Sequence, residues 1–448
     1  MAYGAFVAGS RFRLYELDAA PTGVPTVQAN AMLNFTPECP PVSLSKANLS
    51  PSDNRELFSS ILRLVRTNYV DPITPERETA MARGAVKGML NSILDPNTHF
   101  LEPGEKKLLD DASNGKFHGI GAILALRNET NDGFASIKMM VVSIMPGSPA
   151  EAVGLKPGDS ITHVNGKWVI TYDPFATPEM TKAEKGFINR DFPEAQLRKM
   201  SVAAADKVKK GITITQALET LTSADKGFTD ITVERQGEKV PIELKKVALR
   251  TTVVEPVTSK MLNHGIMYMR LSQFNTQAVS EFNNRVDAAE KSANRPRALI
   301  LDLRNNPGGQ MDAAKKIVAR FTGGGLFATI EEKGRVIRVS SPKLPKLNMP
   351  IAVIVNGGTA SVSELVAGDL MDENLAALVG TRTFGDGLAK SPLVLKDGSE
   401  AILTTGKVLT AHGTDFNGKG LTPSKIVSED RSRDAQLFEA EKLLSAKL

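Results

Sequence analysis

From Gly265 to about Glu429, short apolar runs of strand length alternate with stretches of helical spacing, and that alternation argues an α/β domain. The strand Ala298–Leu301 runs into Asp302-Leu303-Arg304-Asn305-Asn306-Pro307-Gly308-Gly309. A helix follows, with Ala313, Ile317, Val318 and Phe321 on one face. The next unit repeats the pattern. Ile351-Ala352-Val353-Ile354-Val355 reads as a buried strand, Asn356-Gly357-Gly358-Thr359-Ala360 as a glycine turn, and Leu365, Val366, Leu370 and Met371 as the stripe of an amphipathic helix. Leu375 to Gly380 is a third strand. Leu393–Leu395 and Ala401–Thr404 make a hairpin over Lys396-Asp397-Gly398, and Arg433 to Leu448 suits a terminal helix.

The second unit places Ser361 at a helix N-terminus, where backbone N–H groups and the helix dipole favour an anion. A serine there can be a nucleophile whose oxyanion has donors waiting. Ser361-Val362-Ser363-Glu364 also fits a capping box, in which serine and glutamate satisfy terminal N–H groups. Read locally, the cap is the simpler account.

Upstream, residues 1–51 are a Pro-, Ala- and Thr-rich lead segment, and residues 52–117 a helical module in which Leu57, Ile61, Leu62 and Val65, then Met81, Val86, Met89, Leu90 and Ile93, recur at helical spacing. Residues 118–247 read as a β-rich module, with Asn165-Gly166 as a tight hairpin turn and a mostly polar insertion over 168–210. The α/β core spans 248–429 and the C-terminal helix 430–448.

Bulk composition narrows the function. Fifty-five Lys and Arg stand against 50 Asp and Glu, and the net charge of +5 is scattered along 448 residues. No nucleic-acid-binding motif accompanies it, so no nucleic-acid partner is expected. Cys39 is the only cysteine and the five histidines lie far apart, which argues against a metal site. No cofactor motif is present, and no segment has the length and apolarity of a transmembrane helix. The start, Met1 to Ala20, lacks the basic-then-apolar order of a secretory signal. Self-association stays open on sequence.

Several short motifs, in order and spacing, carry a resemblance. They are Leu94-Asp95-Pro96 with Phe100-Leu101-Glu102-Pro103, then Gly119-Ile120-Gly121, Gly147-Ser148-Pro149-Ala150 and Leu155-Lys156-Pro157-Gly158-Asp159. The Asp302 to Gly309 run, Thr359 to Glu364 and Gly418-Lys419-Gly420-Leu421-Thr422-Pro423 complete the set. Over roughly residues 52–429 the chain resembles the C-terminal processing (tail-specific) serine peptidases. The resemblance implies a multidomain α/β protein: an N-terminal helical module, a PDZ-like β-rich domain and a mixed α/β core of the ClpP/crotonase kind. It also implies binding of protein or peptide C-terminal tails, with Gly119, Ile120 and Gly121 as backbone donors and the peptide added as a strand. Ser361 would be the nucleophile of a serine endopeptidase, and Val362 with Gly308 or Gly309 the oxyanion hole. Relatives are usually exported, which leaves the compartment of this chain open.

One departure matters. The family pattern sets a lysine base twenty-five residues after the serine and a glutamine four further on. Here those positions hold Asp386 and Lys390. An aspartate with an ordinary pKa of about 4 is a weak base for a hydroxyl. Along a straight strand Lys390 would sit about 13 Å beyond Asp386, further than its stem reaches. A bent turn could close that gap, but an Asp386–Lys390 ion pair would keep the amine protonated. Two readings follow: an endopeptidase with Lys390 as a displaced base, or a catalytically impaired pseudopeptidase that binds C-terminal peptides.

Overall fold

The structure is a computed structural model that describes residues 51–93, 95, 97–131, 134–223, 227–428 and 434–448. Residues 1–50 of the lead segment, Cys39 among them, lie outside the described residues, as does the expected boundary at 429/430. The chain forms two compact units that divide between Ser92 and Ile93.

The first unit holds helices α1 (Pro51–Asn68) and α2 (Pro75–Asn91). Thr74 caps α2 by accepting from the Arg77 amide at 3.3 Å, and Pro75 supplies the fixed φ of a first helical residue. An Arg66–Glu78 ion pair joins the two helices.

The second unit opens with β1 (His99–Leu101), α3 (Pro103–Ser113) and β2 (Lys116–Phe117), so the stretch read as one helical module over 52–117 is divided between the units. A β-rich module follows: β3 (Ala122–Asn131), β4 (Phe134–Ile144), α4 (Pro149–Ala152), β5 (Ser160–Val164), β6 (Lys167–Trp168), α5 (Pro178–Ile188), α6 (Glu194–Lys210), α7 (Ile214–Thr222), β7 (Gly227–Glu234) and β8 (Ile242–Leu249). Its sheet runs β3-β4-β5-β7-β8, with β3 at one edge. Asn165 and Gly166, with φ of 51° and 72°, make the two-residue turn that folds β6 onto β5. Ala122, Leu124 and Leu126 of β3 share an apolar core with Ala217, Leu218 and Leu221 of α7. The 168–210 insertion is a helical hairpin, α5 and α6, around a core of its own: Met180, Ala183, Leu197 and Ala204. Its base is stapled where Ile212 N–H donates to Trp168 O and Ile170 N–H to Ile212 O, both at 2.9 Å. The Lys207 ammonium lies over the rings of Trp168 (4.2 Å) and Tyr172 (4.7 Å) and ties α6 to the sheet.

After β9 (Thr252–Val253), which pairs with β2, the core begins. It contains β10 (Val257–Met261), β11 (Ile266–Leu271), α8 (Thr276–Lys291), β12 (Ala298–Asp302), α9 (Met311–Thr322), β13 (Gly325–Glu332), β14 (Arg335–Ser341), β15 (Ile351–Val355), α10 (Val362–Asp372), β16 (Ala376–Gly380), β17 (Leu388–Val394), β18 (Glu400–Thr410), β19 (Lys425–Ile426) and α11 (Ala435–Ser445). The main sheet is β10-β11-β12-β15-β16-β19, parallel from β11 onward. Leu299, Leu301 and Val353 face the layer of α8, α9 and α10, whereas Ile300, Ala352 and Ile354 face α11 through Ala440 and Leu444. Burial on both faces explains why β12 and β15 are unbroken apolar runs. A second sheet runs β1-β18-β13-β14, with β17 also on β18.

The far end of α10 carries a titratable cluster. Asp369 is buried, its Oδ1 has no hydrogen-bond partner among the described residues, and burial pushes its carboxyl up to about 7. Glu373 and Asp372 push the same way, while the Ala411 amide and His412 oppose them. The folded state therefore holds this proton more tightly than the unfolded chain. The associated stability is complete below the unfolded value of about 4. It is lost as the pH rises through about 7. The advantage of Asp369→Asn over wild type in melting temperature is expected to be about 2 °C or more larger at pH 8 than at pH 5, because it grows as the pH rises from about 4 to about 7. Equal melting shifts at both pH values, read by calorimetry, would refute the assignment.

Candidate active site

Two turns at the carboxyl ends of neighbouring parallel strands are zipped together. Asn356, at the end of β15, accepts from the Asn305 and Gly358 amides (both 3.0 Å) and donates to Asn305 Oδ1 (3.0 Å). The Thr359 hydroxyl donates to Leu303 O at 2.8 Å, and the Ala360 amide to Asn306 O at 3.0 Å. These bonds present Ser361 half-buried at the head of α10, with φ 56° and ψ −124°. A non-glycine residue in that region stores about 1–3 kcal/mol of strain, which the surrounding bonds hold in place. The Ser361 amide donates to Glu364 Oε2 at 3.0 Å, so the glutamate half of the expected capping box forms.

The turn after β12 lies against the serine. A Cβ on Gly308 would stand 3.0 Å from Ser361 Cβ and 3.1 Å from Val362 N, so only glycine leaves the approach clear. The Gly308 amide donates to Asn306 Oδ1 at 3.0 Å, which corrects its expected role. Of the pair, the Gly309 amide is the remaining candidate donor to an oxyanion. The Val362 amide, first in its helix, has no intrahelical acceptor and is the second candidate. Beneath the turn, buried Asp302 pairs with Arg304 (2.6 Å), which also reaches Asp434 (2.8 Å) at the start of α11. Burial opposes the Arg304 charge, yet both carboxylates hold its pKa above the ordinary value. Arg304 is therefore an ion-pair partner that anchors α11 to the turn.

Glu364 connects the nucleophile to the segment that should hold the base. It is fully buried, and besides Ser361 it accepts from the Thr383 hydroxyl (2.5 Å), the Gly385 amide (2.7 Å) and the Asp386 amide (2.8 Å). Burial pushes its carboxyl up to about 7, against the pull of these four donors. Asp386 itself accepts from the Lys390 ammonium at 2.9 and 3.2 Å. Asp386 lies just ahead of β17, whose register on β18 shifts between Ala389 and Lys390, so the two residues are not held along one straight strand. His99 on β1 stands near enough for the Lys390 charge to act on it. Burial, and then that charge, push its imidazole below the ordinary value.

The β-rich module touches all three segments of the site. Ser143 of β4 donates to Asn305 O at 2.6 Å. Pro157 packs on the nucleophile turn, 3.1 Å from where a Gly358 Cβ would sit. Arg127 of β3 donates to Phe384 O at 3.2 Å and lies 4.6 Å above the Phe384 ring. In the Gly119-Ile120-Gly121 loop the Ile120 amide is already engaged by Leu221 O at 3.0 Å, so it is not free to receive a tail as expected. Sequence reasoning missed His99, Arg127 and Ser143, because nothing local marks a residue whose partner lies more than a hundred positions away. Among the described residues no group of three or more His, Cys, Asp or Glu could hold a metal ion, and no helix is long and apolar enough to cross a membrane.

Residues 265–427 match peptidase family S41, and residues 140–176 match a PDZ domain. The carboxy-terminal processing protease CtpA of Bacillus subtilis (strain 168) is 31% identical over 383 residues, covering 85% of this chain and 70% of the relative. A probable CtpA-like serine protease of Staphylococcus aureus (strain COL) is 27% identical over 410 residues, 91% of this chain and 70% of that protein. Among solved structures, the photosystem II D1 C-terminal processing protease shares the fold, with a TM-score of 0.60, 23% identity, and coverage of 88% of this chain and 98% of that one. The mixed α/β core, the PDZ domain beside it and the serine at the head of α10 thus agree with kinship in sequence, and the chain belongs to the C-terminal processing serine peptidases of family S41.

Proposed function

We propose that the protein captures polypeptide C-termini with its PDZ domain and holds the adjoining chain over Ser361, in a peptidase centre whose acyl-transfer step has lost its base. The observation that carries this reading is the Asp386–Lys390 ion pair at 2.9 Å. Acyl transfer by serine needs a neighbouring group with a lone pair to accept the hydroxyl proton. A carboxylate is weak in that role, and its charge opposes a developing oxyanion. An ammonium paired with a carboxylate has no lone pair to offer. The nucleophile half has a strained serine and two candidate amide donors, so on this reading the missing part is the proton acceptor.

The capture half is supported by β3, an edge strand to which a peptide can add through main-chain hydrogen bonds. Arg127, on the same strand, reaches the Phe384 segment, so a tail on β3 would lie beside the centre.

A working endopeptidase is the second reading, and one observation favours it. Ser361 keeps a strained backbone that a mere helix cap does not need. In that case Lys390 must leave Asp386 to reach the hydroxyl.

Incubation of casein with wild type and with Ser361→Ala separates the two, alongside fluorescence polarisation with a labelled tail peptide. The expected result is no cleavage by either protein and peptide binding by both. Cleavage by wild type that vanishes in Ser361→Ala would establish the enzyme. Absence of binding would remove the capture half.

A further inference from the structure

In the tail site proposed above, one of the three expected loop donors is taken by the chain itself. The Ile120 amide, expected to meet a peptide carboxylate, donates instead to Leu221 O at 3.0 Å. Leu221 lies in the last turn of α7, whose final carbonyls lack intrahelical partners and carry the negative end of the helix dipole. Such a carbonyl offers the same kind of acceptor as a carboxylate oxygen. The contact depends on Gly119, which has φ 77°. A Cβ there would lie 1.9 Å from Leu221 O and 2.6 Å from Thr222 Cα.

The loop cannot easily be the part that yields. Gly119 O accepts from Arg250 N (3.0 Å), Ile120 O from Ala150 N (2.9 Å) and Gly121 O from Met145 N (3.0 Å). Those three bonds pin it to three different segments of the domain. At the end of α7, Ser223 N donates to Thr220 O at 3.4 Å and the Thr222 hydroxyl to Leu218 O at 2.8 Å, bonds internal to the helix. Its capping box, in which Gln216 N donates to Thr213 Oγ1 at 3.1 Å and Thr213 N to Gln216 Oε1 at 3.0 Å, secures the opposite end of the helix.

We propose that the last turn of α7 is an internal stand-in for a terminal carboxylate, so that a tail enters the groove between β3 and α7 only after the Leu221 carbonyl leaves the Ile120 amide. The inference rests on the tail-binding reading and deepens it. A peptide's apparent affinity is then its intrinsic affinity multiplied by the fraction of molecules in which α7 has withdrawn.

Thr222→Pro tests the gate. Proline disfavours the α conformation in the residue before it, which turns the Leu221 carbonyl away from the loop. A fluorescein-labelled peptide with a free C-terminal carboxylate is expected to bind this variant about tenfold more tightly than wild type, and the same peptide amidated at its C-terminus to show no gain. Carbonyl and amide shifts recorded by NMR during titration of the unaltered protein keep the test independent of that variant's folding. The Leu221 carbonyl and the Ile120 amide should move together at the Kd of the peptide. Equal affinity of the two proteins, or an Ile120 amide that shifts while the Leu221 carbonyl stays bonded, would overturn the gate and leave tail binding standing. No binding by either protein would overturn both.

Discussion

Asp386→Lys combined with Lys390→Gln is expected to give casein cleavage ~100- to 10,000-fold above wild type, the range that a positioned general base supplies. The backbone that would carry the new lysine is already fixed, because the Asp386 amide donates to Glu364 at 2.8 Å and Glu364 also holds the Ser361 amide at 3.0 Å. Lys390→Gln alone should stay inactive, since it leaves a carboxylate beside the serine. Adding Ser361→Ala to the double variant should abolish the gain. A double variant that binds tail peptide as wild type does and yet cleaves nothing would mean that the nucleophile half is not assembled either.

Glu364→Ala is expected to destabilise the fold by about 4 kcal/mol, measured by urea unfolding. The side chain is fully buried and takes hydrogen bonds from Ser361, Thr383, Gly385 and Asp386. Each buried donor left without a partner costs about 1–3 kcal/mol, and water entering the vacated space recovers part of the sum. In the double-variant background the same substitution should also remove the gained cleavage, because nothing would then align the Asp386 segment with Ser361. A loss under about 1 kcal/mol would show that the donors find other acceptors and that Glu364 is not the link between the two segments.

Which parts could be read in advance follows from how local their causes are. The strand Ile351–Val355 was legible because both of its faces are buried, so every position is apolar. The β5–β6 turn was legible because Asn165-Gly166 suits left-handed backbone. The departure at Asp386 and Lys390 was legible as a break in a spaced motif, whereas their contact depends on how the chain turns ahead of β17. The helices of the 168–210 hairpin were not legible, since few of their positions are buried and exposed charges dominate the rest. Nor was β1, three residues long, whose partner on β18 comes some three hundred positions later. The engagement of the Gly308 and Ile120 amides likewise depends on folded geometry that no motif encodes.

The pairing of His99–Leu101 with Glu400–Ile402 also bears on biosynthesis. A ribosome that has emitted the strand and the entire PDZ domain has not yet made the segment that completes its sheet. At roughly 5–20 residues per second the early strand waits on the order of tens of seconds with an open edge. Nascent chains halted before Glu400 should therefore recruit chaperones or aggregate, whereas those released after α11 should resist protease. The order of synthesis, and with it the handling of unfinished chains, is built into that single three-residue ladder.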